Sequence, residues 1–364
     1  MRKHILLLTL LTCCLVTAQE FRKYSNEFLS IGVDAAAMGM SKSVTASSND
    51  VNAIYWNPAG LAGIKVHQGA LMHSSYFAGI ANYDYAAAAI APKLEGGPVL
   101  AFSLIRFGVD NILNTTNIID NDGNIDFNRI ERFSTADYAL NVAVAKNIPQ
   151  ITGLSVGINA KIVRRIIGNF ASSWGIGLDA GLQYKFKKWQ LGLMARDITT
   201  TFNAWDFDAK SLTAIQDAVP GQNEAIPEKI ELTLPKIHLG IARDFELKNN
   251  KFHLLTELNF HARLVPTNDI VSTRYGSMTP SLGFQLDYLR FVYLRLGVGE
   301  FQNIRQIDAT ESLSVQPNIG LGFKYHGVQI DYALTNIASA GNALYSNTFS
   351  LKIDFDFLQA RAKK

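Results

Sequence analysis

The chain has 364 residues, of which 48% are hydrophobic and 18% charged, with a formal charge of +3. Its two cysteines, Cys13 and Cys14, fall in an N-terminal stretch that reads as a removable leader, so disulfides, thiolate catalysis and Cys-ligated metals are excluded together from the mature chain. Loss of Arg2 and Lys3 with that leader takes the charge from +3 to +1, leaving no basic excess suited to nucleic acid.

The leader spans residues 1–18: Arg2, Lys3 and His4 form a basic start, Ile5 to Val16 an apolar stretch, and Val16-Thr17-Ala18 a small-residue cleavage site, so the mature chain is expected to start at Gln19. Beyond it no run of 18 apolar residues occurs, which removes helical membrane spans. Two options remain, a soluble β-rich protein or an outer-membrane β-barrel.

Residues 19–65 do not alternate and are rich in Ala, Gly, Ser and Met. Ser48, Asn49 or Asp50 can cap a short helix over Val51 to Tyr55. In the motif Asn57-Pro58-Ala59-Gly60, Asn57 can cap a second turn with Pro58 in its first position, where the missing N–H is no loss. This segment is expected to form a plug or periplasmic collar, with Tyr55 and Trp56 against the barrel base.

From His67 onward the chain is a succession of period-2 segments, which places the strand-built region over residues 66–357, and residues 358–364 form a short tail. Leu154, Val156, Ile158, Ala160 and Ile162 alternate with Ser155, Gly157, Asn159 and Lys161. The same signal runs from Trp174 to Phe186, from Phe252 to Leu264, from Leu282 to Asp287 and from Val328 to Thr335. It is cleanest at the end, where Phe349, Leu351, Ile353, Phe355 and Phe357 share one face, with Ser350, Lys352, Asp354 and Asp356 on the other. A strand with one apolar and one wet face makes that pattern stable. Across Pro235 the apolar phase slips, which predicts a bulge or kink, since proline donates nothing to the ladder.

Tight connections near Pro149, Lys187, Asn249, Tyr288 and His326 interleave with long polar ones at 108–133, 197–230, 265–278 and 301–312. That is the layout of periplasmic turns and external loops. Closing the strands into a barrel pairs every backbone group in hydrocarbon, where an unpaired one costs several kcal/mol. The expected fold is all-β, a transmembrane antiparallel barrel of about 14 strands with a short N-terminal helical plug.

Chemistry-bearing residues are few. Asp120, Asp122, Asn124 and Asp126 form an acidic loop resembling a calcium site, but Gly123 comes earlier than the EF-hand pattern requires, and a solvated external loop is the simpler reading. His253 and His261 lie too far apart along one strand to share a metal. His73-Ser74-Ser75 is the nearest approach to an acyl-transfer site. The inward charges Lys161, Asp179, Arg196, Glu257, Arg263, Asp287, Arg295, Asp331, Lys352 and Asp354 are of both signs and fit a paired lumen network. Phe202, Trp205 and Phe207 stand in an external segment, either as a partner-binding loop or as a loop folded over the barrel mouth. No cofactor and no enzymatic role is expected.

The stretch "GVDAAAMGMSKSVTASSNDVNAIYWNPAGLAGI" resembles the N-terminal signature of the FadL-like outer-membrane proteins. The ending "VQIDYALTNIASAGNALYSNTFSLKIDF" resembles the PorV/PorQ branch, with Asn347 where that branch often has His. The resemblance covers both ends of the chain. It implies a monomeric barrel in outer-membrane lipid, serving the type IX secretion system of Bacteroidota by binding secreted cargo or translocon and attachment partners. The alternative within the superfamily is a transporter of hydrophobic small molecules, and a third is a purely structural barrel.

Overall fold

The computed structural model describes residues 26–76, 79–94, 96–116, 118–119, 123–209, 213, 229–247, 251–305, 310–335 and 346–355. The expected leader therefore lies outside the described residues.

The fourteen strands of the wall run β1 Gln68–Tyr76, β2 Ala81–Ile90, β3 Val99–Asn114, β4 Glu131–Asn147, β5 Leu154–Ile167 and β6 Ala171–Phe186. Then β7 comes in two parts, Trp189–Arg196 and Thr201–Phe207, as does β8, Ile230–Thr233 and Lys236–Leu247. The circuit continues with β9 Phe252–Arg263, β10 Gly276–Tyr288, β11 Val292–Arg305, β12 Glu311–Tyr325, β13 Val328–Thr335 and β14 Ser346–Asp354. Every pairing is antiparallel, and β1 pairs with both β2 and β14, which closes the barrel without a free edge.

Alternation assigns the two faces as the sequence predicts. On β5, Ile158 and Ile162 are exposed on the outer face while Ser155, Asn159 and Lys161 are buried inside. The breaks in β7 and β8 face one another: Thr201 pairs with Thr233 above the gap and Arg196 with Lys236 below it. The gap in β8 is Leu234-Pro235, so the phase slip is a shared break in two neighbouring strands.

The external connections differ from expectation. The ends of stretches that read as polar loops are strand: β3 runs on to Asn114 and β4 starts at Glu131, with a register shift between Val109 and Ile112. Val271–Thr273 is a further short strand, paired with the start of β10. Outside hydrocarbon a hairpin keeps its ladder without needing an apolar face, so polar sequence there does not signal loop.

Within the barrel lies the N-terminal segment. A 3-10 turn at Glu27–Ser30 leads to α1 (Ala35–Gly39), then α2 (Ala53–Trp56) and a second 3-10 turn at Pro58–Gly63. The first helix packs on β11 to β14 and the second turn on β3 to β6, so the segment crosses the whole lumen as a plug. No helix among the described residues is long and apolar enough to cross a membrane.

Candidate functional site: the plug and the spaces around it

Asn57 anchors the plug. Its side-chain oxygen accepts from the Ala59 N–H at 3.2 Å, capping the turn that Pro58 starts. Its amide donates to the Thr45 carbonyl at 2.9 Å within the plug and to the Leu182 carbonyl of β6 at 3.2 Å. The wall gives way here: a Cβ on Gly157 would strike Pro58 and Ala59, and one on Gly181 would strike Asn57 and Pro58. Within the plug, a Cβ on Gly60 would likewise strike the Ser48 carbonyl.

Tyr55 and Trp56 sit in the lumen, where both border the long-connection cavity and Trp56 also borders the short-turn vestibule. The Tyr55 hydroxyl donates to the Leu29 carbonyl at 2.5 Å, and the Trp56 indole donates to the Val33 carbonyl at 3.1 Å. The Arg196 guanidinium stacks on the Tyr55 ring 4.2 Å from its centroid and donates to the Leu29 and Tyr55 carbonyls at 3.0 and 2.6 Å. These bonds follow from aromatic side chains that bury a ring and still need a partner for their polar tip.

Charges complete the seal. Glu257 accepts from the backbone N–H groups of Ala46 and Ser47 at 2.7 and 3.1 Å, Lys42 pairs with Glu300 at 2.7 Å, and Lys352 pairs with Asp50. Within the wall, Lys161 bridges Asp179 and Asp197 at 2.7 and 2.6 Å, and Arg295 holds Asp331 at 2.6 Å. Of the inward charges, Lys161, Asp179, Arg295, Asp331, Lys352 and Asp354 are ion-paired, whereas Glu257, Arg196 and Asp287 bond to backbone groups. The plug members of this network, Asp34, Lys42 and Asp50, were not legible as such. Burial, and the nearby Asp331 and Asp50 carboxylates, push the Asp34 carboxyl up to about 6. Burial also opposes ionisation of Asp50, but the Lys352 ammonium outweighs it and holds that carboxyl below its ordinary value.

Three spaces remain. On the short-turn side a polar vestibule of about 440 Å³ is lined by Asp34, Asp50, Asp287, Arg290, Lys324 and Lys352 among others. On the long-connection side a cavity of about 60 Å³ lies between Tyr55, Trp56, Arg196, His238, His261 and Arg263. An apolar hollow of about 610 Å³ opens on the outer wall, where Leu71, Leu104, Ile330 and Phe349 surround the inward-facing Met72, Tyr85 and Ser350.

The remaining sequence candidates are scattered. Phe202, Trp205 and Phe207 belong to strand β7, not to a loop: Phe202 faces outward, whereas Trp205 is buried, stacked on Phe207 at 6.0 Å with Arg165 over its ring. The alternation in "TFNAWDF" carried that signal. His73 and Ser74 point to opposite faces, because neighbours in a strand must; His73 bonds Asp84 on the outside and Ser74 bonds Thr348 inside, so they form no catalytic pair. Asp120 and Asp122 lie outside the described residues. Asp126 caps the turn at Phe127–Arg129 and pairs with Arg129 at 3.6 Å, and no cluster of three metal-ligating side chains occurs among the described residues. His261 does have a partner ring, His238 on the adjacent strand, which a reading along one strand does not find.

No family model matches the chain, and no curated protein matches it in sequence. Solved structures do. The monoaromatic hydrocarbon channel CymD aligns with a TM-score of 0.52 at 13% identity, over 89% of this chain and 96% of its own. The toluene transporter TodX of Pseudomonas putida aligns with a TM-score of 0.51 at 13% identity, over 88% and 96%. This chain shares the fold of these barrels. At such identity the likeness concerns architecture alone.

Proposed function

We propose that this outer-membrane barrel works by presenting its external face to protein partners, as the PorV/PorQ-type termini imply, with secreted cargo or type IX secretion components as those partners. The observation that carries this reading is the plug. It is held on opposite walls by Asn57, Glu257, Glu300 and Lys352, and the spaces beside it are small or lined by charge. A solute without charge would have to displace buried ion pairs to pass, and leaving such ions unpaired costs several kcal/mol. Neither this reading nor its rival involves catalysis.

The rival is a transporter of hydrophobic small molecules. Two observations favour it: the similar solved structures are hydrocarbon channels, and the apolar hollow on the outer wall reaches inward-facing Met72 and Tyr85. The likeness of fold leans towards this rival; the charged, pinned lumen leans towards the first reading. One pair of measurements separates them. Affinity purification from detergent-solubilised outer membranes should recover secretion components or cargo, and proteoliposomes should show no saturable toluene uptake. Recovery of the barrel alone, together with uptake, would replace the first reading by the second.

A further inference from the structure

The cavity on the long-connection side contains a hydrogen-bond chain that ends without an acceptor. Ser43 donates to the Ser281 hydroxyl at 2.8 Å, which directs the Ser281 proton to His261 Nε2 at 3.1 Å. A neutral His261 then carries its proton on Nδ1 and donates it across the strand pair to His238 Nδ1 at 2.5 Å. A neutral His238 is thereby left with its proton on Nε2, and that atom is buried with no partner. A buried donor left without a partner forfeits its hydration, so the arrangement calls for an acceptor.

The charges around it point the same way. Among the cations lining the cavity, Lys42 is paired with Glu300, Lys161 with Asp179 and Asp197, and Lys236 with Glu27. Arg196 is taken up by two carbonyls and the Tyr55 ring. The Arg263 side chain, which also lines the cavity, makes no ion pair or hydrogen bond among the described residues. His238 and Arg263 thus both line a space of about 60 Å³, whose carboxylates, Glu300 and Asp197, are already paired with Lys42 and Lys161. An oxygen-bearing anion satisfies both, because guanidinium and imidazole N–H groups make their strongest bonds to charged oxygens.

We propose that this cavity binds an oxyanion head group, a phosphate or carboxylate, between His238 and Arg263. The proposal depends on neither functional reading above, since a free solute and the acidic end of a polypeptide offer the same chemistry. The test is calorimetric titration of the full-length barrel in detergent with inorganic phosphate, acetate, and a tripeptide bearing a free or an amidated C-terminus, at ionic strength matched with sodium chloride. Saturable 1:1 binding of at least one free-acid probe is expected. Arg263→Gln and His238→Phe should each weaken it by about tenfold or more, while Lys324→Gln, in the opposite vestibule, leaves it unchanged. Heat-modifiable migration checks that each variant is folded; should His238→Phe fail to fold, Arg263→Gln alone decides. Tighter binding of the free peptide than of acetate, lost on amidation, assigns the head group to a polypeptide end; equal binding assigns it to a free anion. No saturable binding by any probe, or undiminished binding in Arg263→Gln, overturns the proposal.

Discussion

Asp34 has a backbone φ of 70° and a side chain that accepts from the Ala36 N–H at 3.3 Å and the Ser350 hydroxyl at 3.0 Å, tying the start of α1 to β14. Both bonds survive protonation of the other oxygen. With its carboxyl raised from the ordinary 3.8 to about 6, the folded state binds more protons than the unfolded one between those values. The contribution is therefore fully present below about pH 4 and is lost as the pH rises through about 6. The gap corresponds to a maximum of roughly 3 kcal/mol. Asp34→Asn keeps an oxygen acceptor for both donors and removes the titration. The stability difference between the variant and the parent, from denaturant midpoints, should therefore grow in favour of the variant from about pH 4 to pH 6.5. A difference constant over that range would show that Asp34 does not titrate there.

At the scale of elements, the barrel and its plug meet through inward glycines on neighbouring strands. Gly157, Gly181 and Gly192 face Pro58, Asn57 and Thr45, and Gly283 and Gly297 face Met40 and Ser41 on the other side. Gly181→Leu should leave the ladder intact but push Asn57 out, at about 1–3 kcal/mol. Planar-bilayer recordings should then show steps of conductance that the parent lacks, while Ala180→Leu, on the outer face, stays silent. Silence of both would mean that the plug does not depend on that contact. Period-2 alternation made the wall legible, including the inward placing of Lys161, Asp179 and Glu257, because two contrasting solvents read the two faces. The plug position was not legible: it is set by pairs such as Lys352–Asp50 and Asn57–Leu182, whose partners lie far apart in sequence. The glycines on the inner face were the available trace of it. His238–His261 was hidden for the same reason, being a cross-strand neighbour, and β7 beyond Arg196 reads as loop because its outer face stops being apolar at Asp206.

At the scale of the whole molecule, the wall should fix the depth of the barrel in the bilayer. Trp174 and Trp189 are 58% and 44% exposed on the outer face, whereas Trp56 and Trp205 are buried. The stretch from Trp174 to Phe186 carries Ile176, Leu178, Ala180, Leu182 and Tyr184 outward, and Phe186 pairs with Trp189 across the turn. At about 3.3 Å per residue and a tilt of about 40°, that stretch rises roughly 30 Å along the membrane normal, the thickness of the hydrocarbon core. Each ring also has a cation over it, Arg164 at 4.8 Å from Trp174 and Arg243 at 4.8 Å from Trp189. Rings with an apolar body and a cationic neighbour belong at the two interfaces, in opposite leaflets. Trp174→Phe and Trp189→Phe each leave one lipid-facing tryptophan, and lipids brominated at graded depths report its position. Both should be quenched best by the shallow bromines and weakly by those near the chain ends. Strongest quenching of either from the bilayer centre would mean that the barrel sits about half a bilayer higher or lower than its apolar face dictates.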